Sequence, residues 1–258
     1  MATKIIICGA AGRMGTRLIA LAGQDQRFSV AGAVDREAQT AGAVSIVTDM
    51  SSVISSGDVV IDFTTAEATM EHLAVCRKAG KALVIGSTGI TEQQRAVLKE
   101  ASRDIPIVFS PNMSLGVNLL FRLVQEVARA IPGYDVEIVE LHHNQKKDAP
   151  SGTAVKLAEN IAEALNRDMD KIGVYGREGI VGPRTKEEIG VMAVRGGDIV
   201  GDHTVYFIGT GERIELTHRA HSRDTFAAGA LTAAHWVAGK TPGLYDMQDV
   251  LGLKDSSK

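Results

Sequence analysis

Two stretches of this chain carry residue types that do chemistry. One runs Glu140-Leu141-His142-His143-Asn144-Gln145-Lys146-Lys147-Asp148-Ala149-Pro150-Ser151-Gly152-Thr153, two adjacent imidazoles and two ammonium groups ahead of a small, hydroxyl-bearing turn. An imidazole titrates near neutral pH, and a lysine beside a reacting centre holds charge or gives up a proton. Ser151 reads as a helix N-cap, with the amides of Gly152 and Thr153 behind it turned toward a bound anion. A carboxylate there gains about 0.3–1 kcal/mol from the helix dipole and roughly 1.5–3 kcal/mol from each charge-assisted hydrogen bond, so direct contacts dominate. A solvated basic loop is the plainer alternative; the small residues flanking the hydroxyl cap favour close ligand approach instead. Neighbouring strand positions point to opposite faces, so a strand running through both would give His142 and His143 different roles. No third ligand stands at a metal-binding spacing, and no metal is expected. His72, His203, His218, His221 and His235 read as surface or packing residues.

The other stretch is Gly9-Ala10-Ala11-Gly12-Arg13-Met14-Gly15, set directly after the apolar run Ile5 to Cys8. A strand, a Gly-x-x-Gly-x-x-Gly turn and a helix make a diphosphate cradle: a sharp turn at Gly9, close backbone approach at Gly12, helix packing at Gly15. About 20 residues on, Asp35 ends the next strand and suits the ribose hydroxyls of NAD, while the Arg36 guanidinium suits the 2′-phosphate of NADP. Gly86-Ser87-Thr88 and Ser110-Pro111-Asn112-Met113 leave later strands on the same edge and are expected to border a nicotinamide.

The elements that position these residues change character along the chain. Short β-branched runs, Ile5 to Cys8, Ser29 to Val34, Val59 to Phe63, Ala82 to Ile85 and Ile107 to Phe109, alternate with helices at Arg13 to Ala22, Thr69 to Ala79 and Thr91 to Ser102. That alternation predicts a Rossmann-like, doubly wound parallel α/β sheet. After a helix from about Gly116 to Ala130 come strands Asp135 to Leu141, Gly190 to Val194, Thr204 to Ile208 and Arg213 to Thr217 around one helix, Thr153 to Asn166. This predicts a second, α+β domain with a mixed open sheet. A last helix, Thr225 to Val237 with Ser222 as its N-cap, fits either region; the domain reading returns it to the first. Residues 1–113 and 223–258 are thus read as dinucleotide-binding, and 114–222 as the substrate-binding and oligomerisation domain.

Composition narrows the function classes. With 28 basic and 31 acidic residues and a net charge of −3, no global basic field exists for nucleic acid or an anionic membrane. No apolar run approaches the roughly 20 residues of a membrane span. Two scattered cysteines read as packed, reduced thiols, and the chain as cytoplasmic. The 27 glycines exceed the usual roughly 7%, which directs attention to the turns.

The two stretches together resemble the 4-hydroxy-tetrahydrodipicolinate reductase, or dihydrodipicolinate reductase, family. The likeness extends to Val60-Ile61-Asp62-Phe63-Thr64, Asn112-x-Ser114-x-Gly116-Val117-Asn118 and Ala193-Val194-Arg195-x-Gly197-Asp198-Ile199-Val200-Gly201-x-His203, nearly the whole chain. It implies NADH or NADPH as cofactor, with Gly9, Ala10, Ala11, Gly12, Arg13 and Met14 around the pyrophosphate. It further implies His142 as acid/base, Lys146 as proton donor, and His143, Gly152 and Thr153 on the carboxylates of a small dicarboxylate substrate. A homotetramer is implied as well. Ser87 stands where the family often has threonine, and Met113 where an aromatic is common. The alternatives are another two-domain nicotinamide reductase of a small carboxylated imine, or a nucleotide sensor without turnover, which would have no use for the His142 to Thr153 segment.

Overall fold

The computed structural model describes residues 1–41 and 44–254; residues 255–258, the end of the expected dinucleotide-binding region, lie outside them. The first segment comprises β1 (Thr3–Cys8), α1 (Arg13–Ala22), β2 (Phe28–Val34), β3 (Gln39–Ala41), β4 (Val44–Val47), β5 (Val59–Asp62), α2 (Ala66–Ala79), β6 (Ala82–Ile85), α3 (Glu92–Ala101) and β7 (Pro106–Phe109). There follow α4 (Leu115–Ala130), β8 (Asp135–His142), α5 (Gly152–Ala164), α6 (Met169–Ile172), β9 (Gly173–Val174), β10 (Ile189–Arg195), β11 (Gly201–Ile208) and β12 (Arg213–Ala220). The chain closes with α7 (Asp224–Val237), β13 (Gly243–Tyr245) and α8 (Met247–Val250). Two compact units result: Met1–Leu115 with the chain from Arg223 onward, and Gly116–Ser222.

In the first unit eight strands run in the order β13-β7-β6-β5-β1-β2-β4-β3, all parallel except the β3–β4 pair. Strands β1, β5 and β6 are apolar on both faces because helices cover both. Ile5, Ile7 and Val84 pack in one core with Leu18 of α1 and Ala230 and Ala234 of α7; Ile6, Cys8 and Leu83 pack in the other with Leu73 and Leu98 of α2 and α3. The small side chains of α7 let it lie close to the sheet, and Arg17 holds Asp224 through Nε at 2.5 Å. The last helix therefore belongs to the first unit. Its N-cap position is taken by Arg223, in helical conformation and without a side-chain cap, rather than by Ser222 as expected. Helix α2 likewise begins a turn earlier than Thr69, because the Thr65 hydroxyl accepts the Ala68 amide and starts the helix there.

The second unit holds a mixed sheet, β12-β11-β8-β10-β9, with β8, β9 and β10 parallel and β11 antiparallel to both neighbours. Strand β8 alternates strictly, burying Val136, Ile138, Glu140 and His142. The first two join a core with Phe121 and Val124 of α4, Leu157 and Ile161 of α5, and Val205 and Phe207 of β11. The same inward stripe thus passes from apolar packing to two polar groups at the end of the strand. On the opposite face Val194 and Ile208 are exposed.

Candidate functional site

The glycine turn sits at the carboxyl end of β1, where the sheet order reverses between β1 and β5, the switch point at which open α/β sheets bind ligands. Gly9 adopts φ +78°, and a Cβ on Gly15 would fall 2.2 Å from the Gly9 carbonyl, so the turn closes only with glycine at both places. Helix α1 starts at Gly12 with no side-chain cap and no acidic residue in its first turn. By contrast α2, α3 and α5 are each capped by a side-chain oxygen. An N-terminus left this way suits a diphosphate. A cavity of about 450 Å³ opens there, lined by Gly9, Gly12, Asp35, Arg36, Thr64 and His72 among others. The Asp35 carboxylate accepts the Ala11 amide at 2.8 Å through Oδ2 and the Arg36 amide at 2.7 Å through Oδ1. Each oxygen keeps a lone pair for a ribose hydroxyl. These residues fit a dinucleotide.

Beneath the cavity lies a group that the sequence reading missed. Asp62, fully buried, accepts the Thr64 amide at 2.9 Å and the Thr64 and Ser87 hydroxyls at 2.5 and 3.2 Å, and pairs with His72 Nδ1 at 2.7 Å. His72, read as a surface or packing residue, is mostly buried, lines the cavity and is tied to Asp62. Ser87, read as bordering the nicotinamide, turns its hydroxyl inward to Asp62 and Thr69. Thr88 remains exposed, and Gly86 lies under the Phe63 ring. In the second loop the Ser110 hydroxyl donates to the Asn112 carbonyl at 3.1 Å, and Asn112 Oδ1 accepts the Ser114 amide at 2.8 Å. Pro111 is exposed, whereas the Met113 side chain is buried in the core against α7, leaving only its backbone for a ligand.

The second unit brings the histidine segment together around Glu140. This carboxylate is fully buried and accepts from His142 Nδ1 at 2.6 Å, from both Arg195 Nη atoms at 2.8 Å, and from the Ser151 amide at 2.9 Å. Burial acts to raise the Glu140 carboxyl, but Arg195, His142 and the Ser151 amide outweigh it and hold it below the usual carboxylate range. Burial lowers the His142 imidazole below its ordinary value against the pull of Glu140, and the Lys146 and Arg195 charges add to the lowering. Lys146 Nζ lies 2.9 Å from both Asp148 carboxylate oxygens. Ser151 caps α5 as expected, its Oγ accepting the Ala154 amide, and shares a second hydrogen bond with His203 Nε2 at 2.9 Å. Open space borders Gly152 at the helix start. The His143 amide donates to the Ile199 carbonyl at 2.8 Å, and its Nδ1 is a buried polar atom with no hydrogen-bond partner.

His203, read as a surface or packing residue, is buried and packs edge-on against His142, ring centroids 5.2 Å apart, and burial drives its imidazole down to about 3. Glu140 and Arg195 were also given no role from sequence. Glu140 was within reach, since residues two apart on a strand share a face. Elsewhere, Cys8 and Cys76 are buried and form no disulfide. Among the described residues no helix is long and apolar enough to cross a membrane, and no group of three or more His, Cys, Asp or Glu is arranged to hold a metal.

A doubly wound sheet whose uncapped glycine turn lies at the switch point, in a chain that also carries a histidine- and lysine-bearing loop ahead of a helix start, defines a nicotinamide-dependent oxidoreductase. More narrowly, the chain belongs to the dihydrodipicolinate reductase family. Residues 3–113 match the family's N-terminal domain profile and residues 116–251 its C-terminal one. It is 55% identical to the 4-hydroxy-tetrahydrodipicolinate reductase of Geobacter sulfurreducens, covering 98% of this chain and 100% of that protein, and 55% identical to that of Geobacter metallireducens, covering 97% and 99%. Its structure is similar to a dipicolinate-bound dihydrodipicolinate reductase from a Paenisporosarcina species, with TM-score 0.81 and 26% identity over 96% of this chain and 99% of that one. A more distant likeness, to scyllo-inositol dehydrogenase of Lactobacillus casei, has TM-score 0.59 and 12% identity over 100% of this chain and 91% of that one; it concerns the fold alone.

Proposed function

We propose that the chain reduces 4-hydroxy-tetrahydrodipicolinate, by way of dehydrated dihydrodipicolinate, to tetrahydrodipicolinate with NADH or NADPH, in the diaminopimelate route to lysine. The observation that carries this reading is the pairing, in one segment, of a neutral imidazole and a carboxylate-bound ammonium ahead of the α5 N-terminus. A dianionic ring needs positive charge and amides to hold it, and a reduced imine needs a proton at carbon. When bound, the reduced nicotinamide supplies the hydride. Lys146, paired with Asp148, donates the proton to the enamine carbon. His142, neutral with its Nδ1 committed to Glu140, offers Nε2 as proton acceptor and relay. His143, Gly152 and Thr153 hold the substrate carboxylates.

In the first unit Gly9, Ala10, Ala11, Gly12, Arg13 and Met14 surround the pyrophosphate, Asp35 takes the ribose, and Arg36 takes the 2′-phosphate. Gly86, Ser87, Thr88, Ser110, Pro111, Asn112 and Met113 border the nicotinamide, Ser87 and Met113 through backbone only. The first unit is thus the dinucleotide-binding domain and the second the substrate-binding one. We place the enzyme in the cytoplasm as a homotetramer built on the outer face of the second sheet, where Val194 and Ile208 are exposed. Elution of the purified protein as a monomer in light scattering would remove the tetramer.

Coupling the protein to dihydrodipicolinate synthase with pyruvate and aspartate semialdehyde is expected to oxidise both NADH and NADPH. Oxidation of neither would remove the proposed function. Arg36→Ala is expected to raise KM for NADPH roughly 10- to 100-fold, the worth of a charge-assisted hydrogen bond to phosphate, with little change for NADH. An equal loss for both cofactors would show that Arg36 does not read the 2′-phosphate.

A further inference from the structure

Glu140 receives hydrogen bonds from three separate segments: its own strand through His142, the end of β10 through Arg195, and the start of α5 through the Ser151 amide. We infer that Glu140 is a positioning residue for the reaction: its carboxylate fixes the His142 proton on Nδ1, leaves Nε2 as the working nitrogen, and anchors Arg195 and the substrate helix in the same contact. The inference rests on the proton-handling role proposed for His142.

An ionised carboxylate only accepts, so the 2.6 Å contact requires that Nδ1 carry the hydrogen. A neutral ring with Nδ1 protonated has a bare Nε2, and the tautomer is set by the partner of the other nitrogen. Nε2 lies beside Gly201 at the start of β11, where a Cβ would come 3.0 Å from that atom, so glycine leaves the ring its room. His203 packs against the ring at an interplanar angle of 76° and limits its rotation.

Arg195 explains why such a close carboxylate does not leave the ring permanently charged. Alone, Glu140 would favour the imidazolium and remove the acceptor. The bidentate Arg195 guanidinium, itself held by the Val194 and Asp148 carbonyls at 2.7 Å, offsets the Glu140 charge. Glu140 therefore orients the ring without charging it, and the Asp148 carbonyl connects this arrangement to the loop that carries Lys146. The other titratable groups around the ring are Lys146 and Asp148 from that loop and His203 from β11, with His218 beyond it on β12.

The test reads the ring directly and then the reaction. In protein labelled with ¹⁵N-histidine at pH 7.5, His142 is expected to show a protonated Nδ1 and an unprotonated Nε2. In Glu140→Gln, whose amide can donate or accept, the single tautomer is lost and kcat falls about tenfold or more, part of the roughly 10²–10⁴-fold that acid–base catalysis contributes. The acidic limb of kcat/KM moves to lower pH because the charge favouring the imidazolium is gone, while NADH affinity is unchanged. Glu140→Asp, which keeps the charge but shortens its reach, restores the limb and only part of kcat. A wild-type proton on Nε2, a reading that does not depend on any variant folding, overturns the inference. So does a Glu140→Gln protein with wild-type tautomer and pH profile. A changed tautomer with wild-type turnover overturns it differently, by removing its premise that His142 handles a proton.

Discussion

Lys146→Ala is expected to lower kcat about 10²- to 10⁴-fold, the usual worth of a positioned general acid, while the Kd for NADH, read by nicotinamide fluorescence, stays within about twofold. The Lys146 side chain is only 18% exposed, and its Nζ is held at 2.9 Å from both oxygens of an Asp148 carboxylate that is 62% exposed. The Lys146 hydrogen bond holds Asp148 below the usual carboxylate range. Removing Lys146 takes away the proton source and releases an exposed carboxylate that water solvates readily, so the melting temperature should barely move. The glycine turn lies in the other compact unit, so cofactor affinity should survive. Turnover within about twofold of wild type would take Lys146 out of the mechanism.

The histidine-bearing segment and the glycine turn were legible because their signals are local. An N-cap hydroxyl, a helix start and a Gly-x-x-Gly-x-x-Gly run each occupy a dozen residues or fewer, and Ser151, Gly9 and Gly15 behave as their local chemistry demands. What the sequence hid is long-range. Arg195 lies 55 residues from Glu140, and His203 is 52 residues from Ser151. Only the parallel pairing of β10 with β8 and the antiparallel pairing of β11 with β8 put them side by side. A histidine among polar residues reads as solvated until the opposing strand is known. The short strands β3, β4, β9 and β13 were missed for a related reason: two to four residues carry too little periodicity to register, and their pairing is set by the sheet edge they join. Asp62 was visible as the end of an apolar strand, but its partners Ser87 and His72 come from the loop after β6 and from α2.

The fold should lose stability steeply in mild acid, and His203 is the chief cause. Burial drives its imidazole in the folded state down to about 3, far below the ordinary value of 6.5. Between those two values the unfolded chain binds a proton there that the folded chain refuses, so stability falls as pH drops from about 6.5 toward 3 and the loss is complete below the folded value. The gap corresponds to about 5 kcal/mol, with a slope of up to about 1.4 kcal/mol per pH unit for one proton. His142 and His218 are shifted in the same direction, mainly by burial, and steepen the loss. Glu140, held below the ordinary carboxylate range despite its burial, adds a further loss as pH falls through its own folded value. His203→Gln keeps a hydrogen-bonding tip near Ser151 but cannot titrate. At pH 8 the variant should be less stable than wild type by about 1–2 kcal/mol, the usual cost of an imperfectly remade buried hydrogen bond. Its stability should then decline with a slope smaller by about one proton, so that urea-denaturation free energies at fixed protein concentration cross between about pH 5 and 6. Parallel curves through that range would show that His203 takes up no proton on unfolding, and that burial at the foot of β11 does not keep the ring beside His142 neutral.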